Sequence, residues 1–278
     1  MIAIQLAGGL GNQLFQIFAT IAYALEHNMP FVIVYSKMLN ERKTYWDDFL
    51  LPIKEYTNYK GEYTNDFIYK LPYYQEPRFS YDSILKVRNL RIGGYFQSHK
   101  YFKVHQDTIF SMIHLREQQE LIKIEYANYF HHSVLVSLHF RLGDYKVKQE
   151  FHPVMPIEYY IHSLKKIGDT VKQAVSVLYF CEKEDNDYVF TLIQKLQNVF
   201  PLYTFIKVDD EIVDWKQLLI MSCCHHQIIA NSSFSWFSAY FNNYVGKVVC
   251  YPSKWFGPNL KNHSLDDLFP KEWTKIDV

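Results

Sequence analysis

The sequence predicts an α/β protein of two domains, and three observations lead to this class. The chain has 278 residues, 49% of them hydrophobic, which is enough for two domains that each bury a core. It opens with a short apolar run, a helical repeat and a second apolar run. From about residue 133 onward, strand-like and helix-like segments alternate with short connections, as is typical of a parallel, doubly wound sheet.

The first domain is assigned to residues 1–132 and begins with a β-α-β unit. Apolar runs and apolar residues at helical spacing predict a strand over residues 2–6, a helix over 14–25 and a strand over 31–34. Residues 36–92 are rich in tyrosine and interrupted by proline, so no regular elements are predicted there. A helical stretch follows at about 99–130.

The second domain is assigned to residues 133–278. The predicted strands cover residues 134–140, 175–181, 203–208, 227–230 and 247–251, and the predicted helices cover 156–168, 186–199, 214–224 and 234–244. In the common strand order 3-2-1-4-5, the order reverses between the first and fourth strands, and ligands bind above that point at the carboxyl ends of the strands.

The composition excludes several classes of protein. Lysine plus arginine equals aspartate plus glutamate, at 29 each, so no nucleic acid or anionic membrane is expected as a partner. The four cysteines lack the spacing of a disulfide framework. No apolar run is long enough for a transmembrane helix, and the N-terminus lacks the features of a secretory signal. We therefore expect a cytoplasmic protein.

Three glycines after the first strand resemble a phosphate-binding turn but do not match a known fingerprint. A dinucleotide site needs G-x-G-x-x-G and an acid about 20 residues later. Here Leu14 occupies the third glycine position, and no acid follows the second strand. No P-loop motif occurs either. Gly9 is therefore expected to form a sharp turn, with Asn12 and Gln13 pointing from the strand end toward the partner domain.

Two polar loops are expected at the predicted switch point of the second domain, over residues 139–145 and 231–236. Arg141 is the only arginine after Arg116, in a stretch whose other cations are lysine and histidine. A guanidinium grips phosphate oxygens with two hydrogen bonds, which an ammonium cannot do. The alternative is an ion pair with Asp144 that ties the loop, and both roles can coexist.

The segment from Asn231 to Ser233 opens a predicted helix. Free backbone N–H groups, serine hydroxyls and the helix dipole favour anion binding there. Ordinary N-capping is the alternative, and Arg141 across the crevice favours a diphosphate. No metal site is predicted, because residues 223–226 cannot converge on one ion and residues 185–187 are typical of a helix N-terminus.

Five blocks of the sequence resemble those of the α-1,2-fucosyltransferases of glycosyltransferase family 11. In order they are GGLGNQLFQ (8–16), GYFQS (94–98), HFRLGDY (139–145), NSSFSW (231–236) and PSKW (252–255). The resemblance implies a GT-B-like fold with two Rossmann-type α/β domains facing a central cleft. It also implies inverting transfer of L-fucose from GDP-β-L-fucose to the 2-hydroxyl of a galactose-terminated oligosaccharide, with no cofactor and no metal.

The resemblance also implies roles for single residues. Arg141 would hold the donor diphosphate, Asp144 would orient the site, and His139 and Asp144 are the candidates for the base. The remaining residues are assigned to donor binding (Asn231, Ser232, Ser233, Ser235, Glu182) and to the acceptor side of the cleft (Gly9, Asn12, Gln13).

The sequence departs from the family pattern in three places. Leu142 replaces a second arginine, residues 180–183 replace a common F-S-D-D block, and Phe237 replaces a second tryptophan. Two alternatives therefore stay open. One is transfer of another GDP-deoxysugar or formation of another linkage, and the other is a nucleotide- or glycan-binding module without catalysis.

Overall fold

The computed structural model describes residues 1–131 and 134–278, and these fall into two compact units. The first comprises Met1–Arg116 with His263–Pro270, and the second comprises Glu117–Asn262 with Lys271–Val278. The domain boundary expected at residues 132 and 133 falls on the two residues outside the described part of the chain.

The first unit contains a parallel sheet of four short strands. Its elements are β1 (Ile2–Ile4), α1 (Leu10–His27), β2 (Phe31–Ile33), β3 (Met38–Leu39), β4 (Arg42–Lys43), α2 (Asn65–Tyr69), β5 (Tyr73–Gln75), β6 (Leu90–Gly93) and α3 (Gln106–Met112). The sheet order is β2-β1-β6-β5, and β3 and β4 form a separate antiparallel hairpin. The β-α-β unit is confirmed, whereas β3 to β6 and α2 lie in the region for which no elements were predicted.

Helix α1 is buried along most of its length because its apolar side chains recur around the whole helix. It begins at Leu10, after a turn in which Gly8 has a φ of +80°. Gln16 ties this turn to the helix, since its side chain accepts from Ala7 N at 2.9 Å and donates to Ala7 O at 2.8 Å. Both backbone groups of the turn are thereby satisfied by one buried amide.

The second unit contains a parallel sheet of six strands. Its elements are β7 (Val134–His139), α5 (Ile157–Gly168), β8 (Val175–Phe180), α6 (Asn186–Val199), β9 (Thr204–Lys207), α7 (Asp214–Ser222), β10 (His226–Ile228), α8 (Ser233–Phe241), β11 (Val249–Pro252) and β12 (Thr274–Ile276), preceded by α4 (Leu115–Glu125). The order is β12-β11-β10-β7-β8-β9. The predicted order 3-2-1-4-5 is confirmed, and β12 adds an edge strand that was not predicted.

Residues 223–226, two cysteines and two histidines that lead into β10, support the backbone of this sheet. The Nδ1 atom of His225 accepts from Leu135 N at 2.9 Å, and that of His226 accepts from Val248 N at 3.0 Å. Both rings therefore act as neutral acceptors for backbone N–H groups, which is a structural role. Within the described ranges, no helix is both long enough and apolar enough to cross a bilayer.

Candidate functional site

The switch point of the second sheet lies between β7 and β10, which are neighbouring parallel strands. Their carboxyl ends therefore release two loops side by side, the first carrying Arg141 and the second beginning at Ile229. The hydroxyl of Tyr145 in the first loop donates to Asn231 O in the second at 3.2 Å. The two loops that the sequence placed together are in contact.

Arg141 is held between two carboxylates in this crevice. Its Nη2 donates to Asp144 Oδ1 at 2.5 Å, and its Nη1 is paired with Glu182 at the end of β8. The guanidinium also lies over the Tyr145 ring, 4.7 Å from its centroid. The ion pair with Asp144 that was the structural alternative is present. A guanidinium has five N–H donors, so two carboxylate contacts leave it able to bind a further anion.

The backbone of the Arg141 loop is fixed by the connection between β8 and α6. Gly143 adopts a φ of +40°, and a Cβ there would lie 2.2 Å from Glu182 Oε2. Its N–H donates to Asp185 Oδ2 at 2.8 Å. Asp185 is buried and paired with Lys146. Asp185 stands at the N-cap position of α6 and Asp187 in its first turn, as expected, but the carboxylate of Asp185 makes no capping hydrogen bond and binds this loop instead.

His139 is placed beside Arg141 but inside the protein. Burial, and then the charge of Arg141, lower the pKa of its imidazole to about 3. The ring packs near Phe234, with centroids 5.8 Å apart. A buried imidazole of such low basicity is a poor general base, so the geometry supports a packing role for His139.

The predicted donor-binding residues at the start of α8 differ in burial, since Asn231 and Ser235 are buried whereas Ser232 and Ser233 are half-buried. Asn231 is buried, and its Nδ2 donates to Pro153 O at 2.9 Å and to Trp255 O at 3.2 Å, so it joins three loops. Ser232 caps α8, since its Oγ accepts from Phe234 N at 3.3 Å. Ser235 is buried, whereas Ser233 is half-buried in the first turn. The serine hydroxyls and helix N-terminus nearest the surface are therefore those of Ser232 and Ser233.

The opening turn of the first unit uses its amides internally. Gln13 is fully buried and donates through Nε2 to Gly8 O at 3.0 Å and to Lys43 O at 2.9 Å. Asn12 is half-buried, and its Oδ1 accepts from Gln97 Nε2 at 2.8 Å. Gln13 thus braces the turn instead of facing a ligand, because a buried amide must satisfy backbone groups first. Gly9 remains half-buried beside it.

A pocket of about 710 Å³ lies beside this turn, within the first unit. It lies where the order of the first sheet reverses, because its walls come from the carboxyl ends of β1, β5 and β6. Gly8, Gln16, Glu76, Gly94 and Tyr95 line it. The pocket was not predicted from the sequence, because β5 and β6 were not predicted. The Gly93-Gly94 pair nevertheless indicates a close approach of two backbone segments.

The sequence profile of glycosyl transferase family 11 matches residues 1–277, almost the whole chain. The chain belongs to glycosyl transferase family 11. It is therefore a glycosyltransferase, and the resemblance inferred from the five blocks is confirmed at the level of the family.

Two curated relatives of this family 11 chain come from Escherichia coli. The O-antigen biosynthesis glycosyltransferase WbnK is 26% identical in an alignment of 302 positions, which covers 92% of this chain and 95% of WbnK. An alpha-1,2-colitosyltransferase is 26% identical in an alignment of 310 positions, which covers 100% of this chain and 99% of that protein. Both alignments extend over both units.

The crystal structure of a glycosyl transferase family 9 protein from Veillonella parvula shares the fold. It is 10% identical, covers 99% of this chain and 86% of its own, and gives a TM-score of 0.50. At that identity the likeness concerns the fold alone. Together with the parallel sheet in each unit, it confirms the predicted GT-B-like α/β class with two Rossmann-type domains.

A glycosyltransferase must stabilise a leaving group and accept a proton, and the second unit offers groups for the first task. Arg141, the α8 N-terminus and Lys148 are cationic or electropositive, and Lys148 contacts Asp144 Oδ2 at 3.0 Å. Among the described residues, no group of three or more histidine, cysteine or acidic side chains is placed to hold a metal ion.

Proposed function

We propose that this family 11 enzyme transfers L-fucose from GDP-β-L-fucose to the 2-hydroxyl of a terminal galactose, with inversion at the anomeric carbon. The observation that carries the donor assignment is the position of Arg141 at the switch point of the second sheet, over the Tyr145 ring whose hydroxyl contacts Asn231, two residues before α8. This is the place where open α/β sheets bind nucleotides. The guanidinium is the side chain best suited to two diphosphate oxygens.

In the proposed reaction the bond between the fucose anomeric carbon and the β-phosphate oxygen breaks, and its electron pair leaves with GDP. The galactose oxygen attacks from the opposite face through an oxocarbenium-like transition state. Arg141 and the positive end of the α8 dipole would stabilise the growing charge on the diphosphate, without a metal. The donor diphosphate would replace Glu182 as a partner of Arg141, which frees Glu182 to contact the nucleoside.

A second donor is favoured by one comparison. The chain aligns over its full length with an alpha-1,2-colitosyltransferase. Colitose is fucose without its 3-hydroxyl group, so one fold could serve either sugar with a small change in a hydroxyl contact. We propose fucose as the first donor to test and colitose as the alternative, with the same linkage.

A donor and acceptor panel tests this function. The purified chain is incubated with GDP-fucose or GDP-colitose and with lactose, N-acetyllactosamine or galacto-N-biose, and released GDP is measured. We expect GDP release from GDP-fucose only when a galactoside is added. GDP binding without turnover on any acceptor would instead support a binding module that has lost catalysis.

A further inference from the structure

The pocket of the first unit contains one acid whose surroundings are unusual. Glu76 follows β5 directly, and its Oε2 accepts from Tyr95 N at 2.8 Å and from Phe96 N at 3.0 Å. Its Oε1 has no hydrogen-bond partner among the described residues, and the side chain is half-buried in the pocket wall. One oxygen is therefore fixed by the backbone while the other is available to a ligand.

The fold makes room for this carboxylate at the strand end. A Cβ at Gly94 would lie 2.4 Å from the Glu76 Cβ and 2.6 Å from its Oε2, and Gly94 has a φ of +144°. Only glycine allows the β6 backbone to approach Glu76 so closely in this conformation. The acid is thus held in a single position at the carboxyl edge of the sheet.

We propose that this pocket binds the acceptor galactoside and that Glu76 Oε1 takes the proton from its attacking hydroxyl. The inference rests on the proposed function, and it assigns the base that the sequence could not identify. Glu76 meets the geometric requirements for a general base, because its carboxylate is held in place in a pocket that is large enough for a sugar. The Tyr95 side chain lies at the rim of this pocket.

In the proposed step one bond forms, one bond breaks and one proton moves. The galactose oxygen forms a bond to the anomeric carbon as the bond to the β-phosphate breaks, and the proton of the hydroxyl moves to Glu76 Oε1. The electron pair leaves with GDP. The protonated Glu76 then returns its proton to water.

The charged neighbours of Glu76 affect its protonation in opposite directions. Burial and the nearby charge of Asp82 raise the pKa of Glu76, while the two backbone N–H groups lower it, and the net direction is upward. Asp82 is itself paired with Arg78. Tyr74 and Tyr101 also face the carboxylate, and the pKa of each is raised. Arg91, His263, Tyr73 and Tyr95 are further titratable residues of the lining.

A carboxylate with a raised pKa is a stronger base than an ordinary glutamate carboxylate. We therefore expect the wild-type single-turnover rate to fall with acidification, at a pH above the usual glutamate value of about 4.3. The fall has this direction because the base must be deprotonated before it can accept the proton.

Glu76→Gln is the direct test, because its amide oxygen can still accept from Tyr95 N and Phe96 N while its basicity is lost. We expect the single-turnover rate to fall about 100-fold or more and the acid limb of the pH profile to disappear, with the GDP-fucose dissociation constant unchanged. Glu62→Gln, at an exposed acid of the same unit, should behave as wild type. Glu76→Asp should keep the acid limb at a reduced rate.

Three outcomes would overturn the inference. The first is a Glu76→Gln enzyme within about threefold of the wild-type rate, which would point to the departing phosphate as the proton acceptor. The second is a wild-type rate that shows no fall on acidification from about pH 8 down to the usual glutamate value of about 4.3, a result that does not depend on any variant folding. The third is a wild-type protein that transfers neither sugar to any galactoside, which contradicts the proposed function as well.

Discussion

At the scale of single residues, Arg141 carries the proposed donor chemistry. Asp144 and the Tyr145 ring hold the guanidinium in the crevice, so little ordering of this side chain is needed when a diphosphate binds. The ion pair with Asp144 and the phosphate role are compatible, because the first positions the group that performs the second.

Arg141→Lys should lower kcat by about 30- to 100-fold while the fold survives, because an ammonium cannot span two phosphate oxygens. Steady-state kinetics with saturating donor and thermal unfolding measure the two effects. Arg88→Lys, at an exposed arginine of the first unit, is the matched control. Near-wild-type turnover in Arg141→Lys would remove the diphosphate role.

His226 makes the stability of the second unit sensitive to acid. Its Nδ1 must stay unprotonated to accept from Val248 N, and burial, followed by the charge of His225, lowers the pKa of its ring to about 4. The unfolded chain, with a histidine pKa near 6.5, binds the proton first as the pH falls. Stability is therefore complete above about pH 6.5 and is lost progressively down to about pH 4.

Urea unfolding between about pH 7.5 and pH 5 checks this prediction. His226→Gln keeps a neutral acceptor, so its free energy of unfolding should depend less on pH than that of wild type. His114→Gln, at an exposed histidine, should keep the wild-type dependence. Equal pH dependence in wild type and His226→Gln would show that other groups control the acid limb.

At the scale of elements, the loop after β7 depends on support from the loop after β11. Gly257 N donates to Phe151 O at 2.8 Å, and Asn259 N donates to Glu150 O at 2.9 Å. A Cβ at Gly257 would lie 2.4 Å from Glu150 O and 2.5 Å from Gln149 O. The loop that carries Arg141 is therefore packed against backbone that has no room for a methyl group.

Gly257→Ala should destabilise the protein by about 1–3 kcal/mol and lower kcat/KM, because the clash is with backbone rather than with a movable side chain. Gly61→Ala is the comparison, since it has a φ of +81° and open space around its Cβ position. It should cost about 1 kcal/mol and leave activity unchanged. Calorimetry and kinetics distinguish the two, and a Gly257→Ala protein as stable as Gly61→Ala would contradict the packing argument.

The elements that the sequence predicted are those with long apolar runs. Strands β7 and β8 are six residues each and almost wholly buried, so their pattern is clear. Strand β12 has three residues and includes an exposed lysine, and β6 includes Arg91, whose guanidinium lies over the Tyr73 ring. Tertiary pairing, rather than local composition, makes these short segments strands.

The functional side chains were harder to predict than the strands. Gln13 lies in the first turn of α1 and Asn231 in the loop before α8, both just after a strand, where an amide can face a ligand or satisfy backbone carbonyls. The structure shows the second use for both. Sequence position alone cannot separate the two, because the carbonyls concerned belong to residues distant in sequence, Lys43 and Trp255.

At the scale of the whole molecule, each unit has a parallel sheet with one switch point, and each switch point carries polar loops. In the second unit the switch point could be predicted from the sequence, because both β7 and β10 were predicted as strands. In the first unit the same rule locates the pocket with Glu76, once β6 is known to pair with β1. The family match extends over both units.

GDP should stabilise the whole chain through the second unit. At 100 times the dissociation constant, binding adds about 2.7 kcal/mol, which raises Tm by several degrees in a chain of this size. We expect the same shift with EDTA and with magnesium, and a smaller one with ADP. A shift that requires magnesium would contradict metal-independent donor binding.

The linkage of the product tests the central claim most directly. The oligosaccharide made from GDP-fucose and lactose is isolated and its glycosidic linkage is determined by NMR. We predict an α-linked fucose on the 2-hydroxyl of galactose. A β-linked product, a fucose on another hydroxyl, or unchanged lactose beside intact GDP-fucose would contradict it.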